Sequence, residues 1–488
     1  MNTMTWSSLN AGVATPEIFL LCATCAILLI DVFLSDAKRH ISYMLTLAAL
    51  VATGCLLVTG YSNLPQLAFN DMFVADPLAS LAKLGMVIGV ILVLVYGRGY
   101  AAVRGLFRGE LFTLTLCALL GMMVMASAVN FLVLYVGLEL LSLSLYALVA
   151  MQRESSRATE AAMKYFILGA LASGLLLYGM SMVYGATQSL DVFVIAQKIA
   201  SDEANRLLTV FGIVFIVTGI GFKLGAVPFH MWAPDVYDGA PTLISQLIGS
   251  APKLAAFAFI MRILAQALEG FAFDWRSMLM VLAVLSLVIG NVTAIAQVNI
   301  KRMLAYSTIS HMGFLLLGIM AATPGGYAAA FFYAMTYMLT AAAGFGIIML
   351  LSREGFEADQ IADFRGLNKR SPWFAAMTLI VMFSMAGIPV FVGFFAKLAI
   401  IQALVSLGLV WLAVIAVLMS VIGAFYYLRV VKVMYFEDPT DTAPVAAGTD
   451  AKLVLSLNCL LLLVLGLMPE RLLSALGAAI QFSLHAGL

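Results

Sequence analysis

Fourteen apolar segments, each long enough to cross a membrane, follow one another along the 488-residue chain. A helix rises about 1.5 Å per residue, so roughly 20 apolar residues match the hydrocarbon core of a bilayer. Only helices and closed barrels satisfy their backbone hydrogen bonds in lipid. The pattern therefore predicts an all-α polytopic membrane protein that forms a single membrane domain over residues 1–488. The predicted spans are residues 15–34, 41–60, 75–97, 110–127, 129–151, 158–185, 206–230, 240–265, 275–298, 302–321, 326–351, 372–405, 407–436 and 452–469.

Charge is scarce in this chain, since 10% of the residues are charged and 63% are hydrophobic. This composition excludes an ordinary soluble domain. The 26 basic and 25 acidic residues almost cancel, so nothing points to a nucleic-acid partner, whereas membrane lipids are expected neighbours. Cys22 and Cys25 have no histidines nearby, so a metal site is not expected. The N-terminus lacks the basic region of a signal peptide, and the first apolar segment is expected to remain as a membrane helix.

The basic residues in the connections predict the orientation, because cytoplasmic loops carry an excess of Lys and Arg. If the N-terminus lies outside, sixteen basic residues fall in inner loops and four in outer loops. The sixteen are Lys38, Arg39, Arg98, Arg104, Arg108, Arg153, Arg157, Lys301, Arg302, Arg353, Arg365, Lys369, Arg370, Arg429, Lys432 and Lys452. The four are Lys198, Arg206, Arg276 and Arg471. Both termini are therefore expected outside, in the periplasm if the chain lies in a bacterial inner membrane.

The other six basic residues are placed within the membrane: Lys83, Lys164, Lys223, Lys253, Arg262 and Lys397. A charge at a helix centre costs about 2.5–3.5 kcal/mol on insertion scales, so intramembrane charges are functional by default. The alternative for Lys223 is a structural lysine that reaches the interface. A purely structural scaffold is disfavoured as the function of the whole chain, because several buried lysines would be costly without a role.

Glu139 lies near the middle of the fifth span, where an isolated carboxylate would be protonated. A lysine beside it would keep both groups charged. Glu139, Lys223 and Lys253 all lie about twelve to fourteen residues from an inner loop, so the three are expected at one depth. Such a row is what lateral proton transfer between titrating groups requires. Lys164 lies nearer the inner end of its span and would link Glu139 to cytoplasmic water.

Two groups of five spans have the same plan, residues 110–265 and 275–436, and they follow three N-terminal helices in residues 1–109. Five is an odd number, so the two repeats are inverted relative to each other. The fourth span of each repeat contains helix breakers, and paired interrupted helices in inverted repeats indicate an ion pathway. Residues 452–469 are expected as the last helix. The predicted breaks lie at Pro228, Pro252, Gly387 and Pro389.

Three further residues lie close to these breaks or between the repeats. Lys397 lies about 25 residues beyond the inner start of its span, so we expect it nearer the outer face than the other lysines. His230 and His311 are candidate relays, because imidazole titrates in the relevant pH range. A hydrogen-bonded core histidine is the alternative for each of them.

The loops are short, and none contains a phosphate loop, a dinucleotide fingerprint or a cysteine cluster. No site for NADH, flavin, an iron–sulfur centre or a metal is expected in this chain.

The segments FKLGAVPFHMWAPDVYDGAPT, KRMLAYSTISHMG and AGIPVFVGFFAKL, with Glu139 in the fifth span, resemble the antiporter-like subunits of respiratory complex I over essentially the whole chain. The segment PFHMWAPDVYDGAP is most similar to the N-type subunits of this family. The chain shows no long lateral helix after span 14, unlike the L type, and it carries Lys397 where the M type is expected to have glutamate. Mrp cation/proton antiporters share the scheme and remain the alternative family.

The resemblance implies a proton-translocating subunit of NADH:quinone oxidoreductase. It implies Glu139 and Lys223 as the charge pair of a first half-channel, Lys253 as a central relay and Lys397 as the outlet. It also implies partner subunits that hold FMN, iron–sulfur clusters and quinone. Copurification distinguishes a complex I subunit from an Mrp-type antiporter subunit, because an Mrp-type antiporter would copurify only with small membrane proteins.

The first prediction concerns topology. Tags at both termini are expected to react with a membrane-impermeant reagent added to intact cells, because the basic loops stay in the cytoplasm. A tag placed in the basic connection at residues 352–371 is the matched control and should react only after lysis. A terminal tag protected until lysis would contradict the predicted orientation.

Overall fold

The computed structural model describes residues 9–440, 443, 445 and 447–484. Over these residues the chain is almost entirely helical, with one short antiparallel hairpin, β1 (Gln66–Ala68) and β2 (Phe73–Ala75), in which Gln66 is opposite Ala75. The helices are α1 (Thr15–Val32), α2 (His40–Thr59), α3 (Pro77–Val103), α4 (Gly109–Ser127), α5 (Phe131–Val149), α6 (Ser156–Thr187), α7 (Val192–Ala200), α8 (Arg206–Leu224), α9 (Trp232–Gly239), α10 (Thr242–Gly249), α11 (Ala251–Ile260), α12 (Ala272–Ile295), α13 (Ile300–Met320), α14 (Pro324–Leu351), α15 (Leu367–Arg370), α16 (Pro372–Ala386), α17 (Val392–Ser406), α18 (Val410–Phe436), α19 (Thr449–Leu467) and α20 (Pro469–Leu484).

The all-helical polytopic prediction is confirmed. Among the described residues, 13 helical segments are long and apolar enough to cross a membrane. The two shorter apolar helices α16 and α17 together make up the span expected at residues 372–405. The centre of the molecule is formed by α10, α11, α13 and α14. In each of the three spans that these helices make up, 94% of the most apolar stretch is buried.

The two five-span repeats are visible in the helix order. The first consists of α4, α5, α6, α8 with α9, and α10 with α11, and the second of α12, α13, α14, α16 with α17, and α18. In each repeat, a glycine lies at the point where the first two helices cross. A Cβ at Gly121 of α4 would lie 2.6 Å from the carbonyl oxygen of Gly137, and one at Gly290 of α12 would lie 2.9 Å from that of Tyr306. Only glycine allows the backbones to approach this closely.

Three spans are interrupted. The seventh span stops at Leu224, because Gly225 takes a left-handed conformation (φ 76°), and helix resumes at α9. The eighth is interrupted at Ser250, whose dihedral angles (φ −111°, ψ −101°) are not helical, and α11 follows with Pro252 in its first turn. The twelfth stops at Ala386, followed by left-handed Gly387 (φ 84°), and resumes at α17.

Two freed backbone groups at the first break have partners within the protein. The Val227 amide donates to Ser286 Oγ at 2.9 Å, and Trp232 Nε1 donates to the Phe222 carbonyl at 2.9 Å. A broken helix at membrane depth is stable only when such groups are paired or face a wet cavity.

The expectation that residues 452–469 form the last helix is wrong. That span is α19, and α20 follows it from Pro469 to Leu484. With 16 residues α20 is too short to cross a bilayer, and Leu476, Ala479, Ile480 and Ser483 form its buried face. The search for spanning runs missed α20 because its hydrophobicity lies on one face only.

Two buried ion pairs hold the N-terminal helices. Lys83 of α3 pairs with Glu17 of α1. Fully buried Arg262 donates from Nη1 and Nη2 to the two carboxylate oxygens of Asp76, at 2.8 Å each, and Asp76 also caps the start of α3. Arg262 therefore has a structural partner, which the sequence pattern alone does not indicate.

The C-terminal helix α20 joins the same cluster. Gln266 Nε2 donates to the Ser483 carbonyl at 2.9 Å, and the Leu78 amide donates to Ser483 Oγ at 3.0 Å. Gln266 Oε1 also accepts from Arg262 Nη1 at 3.1 Å. The start of α3, the end of the eighth span and α20 are therefore tied together by hydrogen bonds.

The second prediction is that Arg262→Met destabilises the protein by about 3–5 kcal/mol, because it leaves the Asp76 carboxylate buried and unpaired. The midpoint of heat-induced aggregation of the detergent-solubilised protein should fall. Adding Asp76→Asn, which keeps a cap for α3, should restore part of the loss. Arg206→Met, which removes an arginine whose side chain is 74% exposed, is the control. An unchanged midpoint for Arg262→Met would contradict the role of this pair.

Candidate functional site

Lys223 lies in the last turn of α8, immediately before the break. Its Nζ donates to Ser142 Oγ at 2.7 Å and to Ser173 Oγ at 3.3 Å. Ser142 follows Glu139 by three residues on α5, so the two side chains lie on one face of that helix.

The expected direct contact between Glu139 and Lys223 is not found. No ion pair within 4.0 Å joins them in the described part of the chain, and Glu139 Oε1 is buried without a hydrogen-bond partner there. The lysine amine instead bonds to two hydroxyl groups, and Ser142 lies between the two charges along the helix face.

Lys253, in the first turn of α11, reaches back to the end of α8. Its Nζ donates to the carbonyl oxygens of Leu224 at 3.1 Å and Lys223 at 3.4 Å, and lies 5.4 Å from the ring centre of Trp232. Lys223, Lys253 and Ser142 also line a common cavity of about 30 Å³. A cavity of this size can hold roughly one water molecule. The structure therefore brings the first two lysines of the predicted row together.

Lys397 has an equivalent environment in the second repeat. Its Nζ donates to the carbonyl oxygens of Met385 and Ala386 at 3.0 Å each and to Ser420 Oγ at 2.9 Å. The amine lies 5.4 Å from the ring centre of Phe314.

Lys253 and Lys397 thus bind in the same way. Each amine donates hydrogen bonds to the carbonyl groups at the C-terminal end of a half-helix, α8 or α16. Those carbonyls have no partners within the helix, and the helix dipole makes that end negative. Lys301 repeats the arrangement at the end of α9, where its Nζ donates to the Ala240 carbonyl at 2.7 Å. Lys301, expected in an inner connection, lies in the first turn of α13, and only 4% of this residue is exposed.

His311 of α13 lies within the second repeat and is buried. Its Nδ1 is 2.6 Å from the Tyr333 hydroxyl, and its Nε2 is 3.1 Å from the Tyr427 hydroxyl. The His311 ring also lines a cavity of about 20 Å³ together with Tyr337 and Ser384. Both ring nitrogens have hydroxyl partners, as a relay requires, and the same contacts fit a structural histidine.

A belt of aromatic and hydroxyl side chains lies between Lys253 and His311. Trp232, beside Lys253, packs with Tyr237 at 6.4 Å between ring centres. On the other side the Tyr337 ring lies 4.9 Å from the His311 ring, and its hydroxyl donates to Thr308 at 2.7 Å. The Tyr237 hydroxyl has no hydrogen-bond partner among the described residues, so no continuous hydrogen-bonded chain joins the two sides.

His230 lies in the break between α8 and α9. Its Nδ1 is buried and has no hydrogen-bond partner among the described residues. Pro228 lies in the same break, and Pro389 lies in the turn between α16 and α17. The structure does not bring His230 into contact with the lysine row.

Lys164 lies in a separate vestibule of about 210 Å³, at the end of the bundle that the sequence predicts to face the cytoplasm. Its Nζ donates to Asp235 at 2.7 Å and pairs with Glu160 at 2.8 Å. Arg302 donates to the other Asp235 oxygen at 3.0 Å. Burial raises the pKa of Asp235, but the hydrogen bonds from Lys164 and Arg302 outweigh it and keep that pKa below its usual value. The vestibule thus keeps a charged carboxylate beside Lys164 and Arg302.

The structure adds site residues that the sequence analysis missed. Ser142 carries a signal, because it follows Glu139 at helical spacing on one face. Tyr333, Tyr427 and Ser420 carry none, since they come from α14 and α18 and meet α13 and α17 only in the fold. Among the described residues no group of three or more His, Cys, Asp or Glu side chains could hold a metal ion.

The family description "NADH:quinone oxidoreductase/Mrp antiporter, TM" matches residues 128–423. A protein of Laribacter hongkongensis named NADH-quinone oxidoreductase subunit N is 59% identical over 99% of both chains. A protein of Thiobacillus denitrificans with the same name is 58% identical over 98% of this chain and 99% of its own. The chain belongs to the subunit N family. The resemblance seen in the sequence is thereby confirmed.

Solved structures agree with membership of the subunit N family. A chain of respiratory complex I from Thermus thermophilus is 31% identical, with a TM-score of 0.81 over 95% of this chain and 99% of that one. A chain of the Mrp complex from Dietzia is 22% identical with a TM-score of 0.78, which shows a common fold only.

The third prediction tests the hydroxyl contact of Lys223. Ser142→Ala removes the acceptor at 2.7 Å and is expected to slow NADH-driven quinone reduction in membrane vesicles about ten- to a hundredfold, the effect of one hydrogen bond to a charged group. Ser144→Ala is the matched control, because Ser144 is equally buried on α5 and donates to the carbonyl four residues earlier, as Ser142 also does. Equal activity of the two variants would exclude the contact as functional.

Proposed function

We propose that this chain translocates protons as a membrane subunit of a multisubunit NADH:quinone oxidoreductase, a translocase whose redox steps take place in other subunits. The observation that carries the proposal is the row of buried lysines, in which amines donate hydrogen bonds to carbonyl groups at the ends of interrupted helices. It is supported by the names of the relatives, which are 54–59% identical. NADH, FMN, iron–sulfur clusters and quinone would be bound by partner subunits, and neighbouring antiporter-like and small membrane subunits are the expected direct partners.

Protons would enter from the inner vestibule. Its charged groups include Lys164 and Asp235, and its cavity opens beside α6. Tyr165 follows Lys164 in the chain and lines the Lys223 cavity, where it stacks on Trp232 at 4.7 Å between ring centres. Lys164 would therefore connect cytoplasmic water to the region of Glu139 and Lys223.

Transfer along the row would begin with Glu139. When this carboxylate is charged it stabilises protonated Lys223, and when it is neutralised Lys223 is held by hydroxyl groups alone. A lysine without a counter-charge in a low-dielectric site sheds its proton more readily. Lys253 is the natural acceptor of this proton. Its amine donates a hydrogen bond to the backbone carbonyl of Lys223, and both lysines line the same cavity.

Lys397 would be the outlet. The 15-residue helix α16 starts at the inner end of its span and rises about 20 Å before its carbonyls meet Lys397, in a hydrocarbon core about 30 Å thick. This amine is therefore closer to the outer face than to the inner face. The assignment presumes a bacterial inner membrane with both termini in the periplasm.

The fourth prediction is that Lys223→Ala abolishes most proton translocation together with most quinone reduction, because the proton then has no site between Glu139 and Lys253. Translocation is measured by quenching of a pH-sensitive dye in inside-out vesicles, at equal amounts of assembled complex on native gels. Lys432→Ala, which removes an exposed lysine outside the row, is the control. Normal translocation by assembled Lys223→Ala would disprove the proposed pathway.

A further inference from the structure

A chain of buried hydroxyl and amide groups lies beside His311, and the proposed pathway does not use it. The chain joins α12, α13, α14 and α18, and its members are at most 7% exposed. Buried polar groups are stable when each donor has an acceptor, so the donors and acceptors present determine the direction of each bond. The members are Asn291, Ser307, His311, Tyr333, Tyr426 and Tyr427.

The Asn291 amide fixes one end of the chain. Its Nδ2 donates to the Leu287 carbonyl and to Ser310 Oγ, at 2.8 Å each. A backbone carbonyl only accepts, so the amide nitrogen must face Leu287 and the amide oxygen must face Tyr426. The Tyr426 hydroxyl therefore donates to this oxygen, at 3.0 Å. A Cβ at Gly423 of α18 would lie 2.5 Å from the same oxygen, so the glycine leaves the space that the amide needs.

Tyr333 of α14 fixes the other end. Its hydroxyl lies 2.6 Å from His311 Nδ1, and among the described residues it has no other hydrogen-bond partner. If this hydroxyl only accepted a bond from Nδ1, its own hydrogen would be buried without an acceptor, which is unfavourable. Tyr333 therefore donates to Nδ1, and this nitrogen carries no hydrogen in the neutral ring.

The hydroxyl groups between the two ends have the same direction. Tyr426 gives its hydrogen to the amide, so its oxygen can only accept from the hydroxyls of Ser307 and Tyr427, with which it also interacts. Tyr427 bonds to Ser307 and lies 3.1 Å from His311 Nε2. When Nε2 donates to Tyr427, every hydrogen in the chain has an acceptor. When Tyr427 donates to Nε2 instead, the Tyr333 hydrogen has none.

We propose that this chain holds neutral His311 with its hydrogen on Nε2. Asn291 and Tyr426 are positioning residues that act on the ring through Tyr427. Nδ1 is then the only nitrogen at which the ring can take up a proton. A proton passed toward Tyr427 would find no acceptor at the far end of the chain, because the Asn291 amide does not titrate.

The free nitrogen is directed toward the surroundings of Lys397. Tyr333, its partner, lines the cavity of about 20 Å³ beside His311, together with Met385 and Ala396. The Met385 carbonyl accepts a bond from Lys397 Nζ at 3.0 Å, and a cavity of this size can hold roughly one water molecule. His311 would therefore exchange protons on the side of Lys397 and not on the side of α18. This consequence rests on the proposed function, whereas the position of the ring hydrogen does not.

The test uses the full chain, purified in detergent and labelled with ¹⁵N- and ¹³C-histidine. The chain has four histidines, and the His311 signal is the one that disappears in His311→Gln. At mildly alkaline pH, where an ordinary histidine is neutral, the ring shifts in solid-state NMR spectra show which nitrogen carries the hydrogen. The wild type should show the hydrogen on Nε2 alone.

Asn291→Leu removes the acceptor of the Tyr426 hydrogen, so either direction of the chain then leaves one hydrogen unpaired. A second His311 signal, with the hydrogen on Nδ1, should appear at comparable intensity. Tyr426→Phe interrupts the chain one step closer to the ring and should have the same effect. Asn458→Leu, at a buried asparagine of α19, and Tyr435→Phe, nine residues further along α18, are the matched controls and should keep the single wild-type signal.

The proposal is overturned if the wild-type ring carries its hydrogen on Nδ1 or on both nitrogens. It is also overturned if the folded Asn291→Leu and Tyr426→Phe variants keep the single wild-type signal. The readout is the position of a ring hydrogen and not proton translocation. A failed assignment of this hydrogen would therefore leave the proposed function standing, and a failed proposed function would leave the assignment standing.

Discussion

The bond between a lysine amine and the carbonyl end of a broken helix is the interaction on which this structure depends. A half-helix that stops inside the membrane exposes carbonyl groups, and a buried lysine exposes a charge, and each alone is unfavourable. Lys253 on α8 and Lys397 on α16 resolve both problems at once. The same amines are the groups proposed to carry protons. In the proposed pathway, the side chains that stabilise the breaks are therefore also the side chains that transport protons.

Much of this arrangement is predictable from the sequence because membranes impose strong rules. The lengths of the apolar runs predict the spans, and Pro228 and Gly387 mark breaks that the structure places after Leu224 and Ala386. Intramembrane lysines stand out against so little charge. The resemblance to complex I subunits added the roles of Glu139 and Lys397, which spacing alone does not supply.

What could not be predicted depends on which helices meet. The sequence gives Lys223 and Glu139 similar depths but not the hydroxyl groups of Ser142 and Ser173 that take the lysine amine. Depth also cannot show that Lys301 turns inward to a carbonyl. Amphipathic α20 lacks the uniform hydrophobicity of a span and gave no signal of that kind.

The cluster at the start of α3 has a consequence for the order in which the protein is made. Ser483 accepts a bond from the Leu78 amide, although the two residues are 405 positions apart. During synthesis this hydrogen bond can therefore form only after nearly the whole chain has been made. A chain that ends before α20 would lack the hydrogen bonds that Gln266 and the Leu78 amide donate to Ser483 beside the Arg262–Asp76 pair.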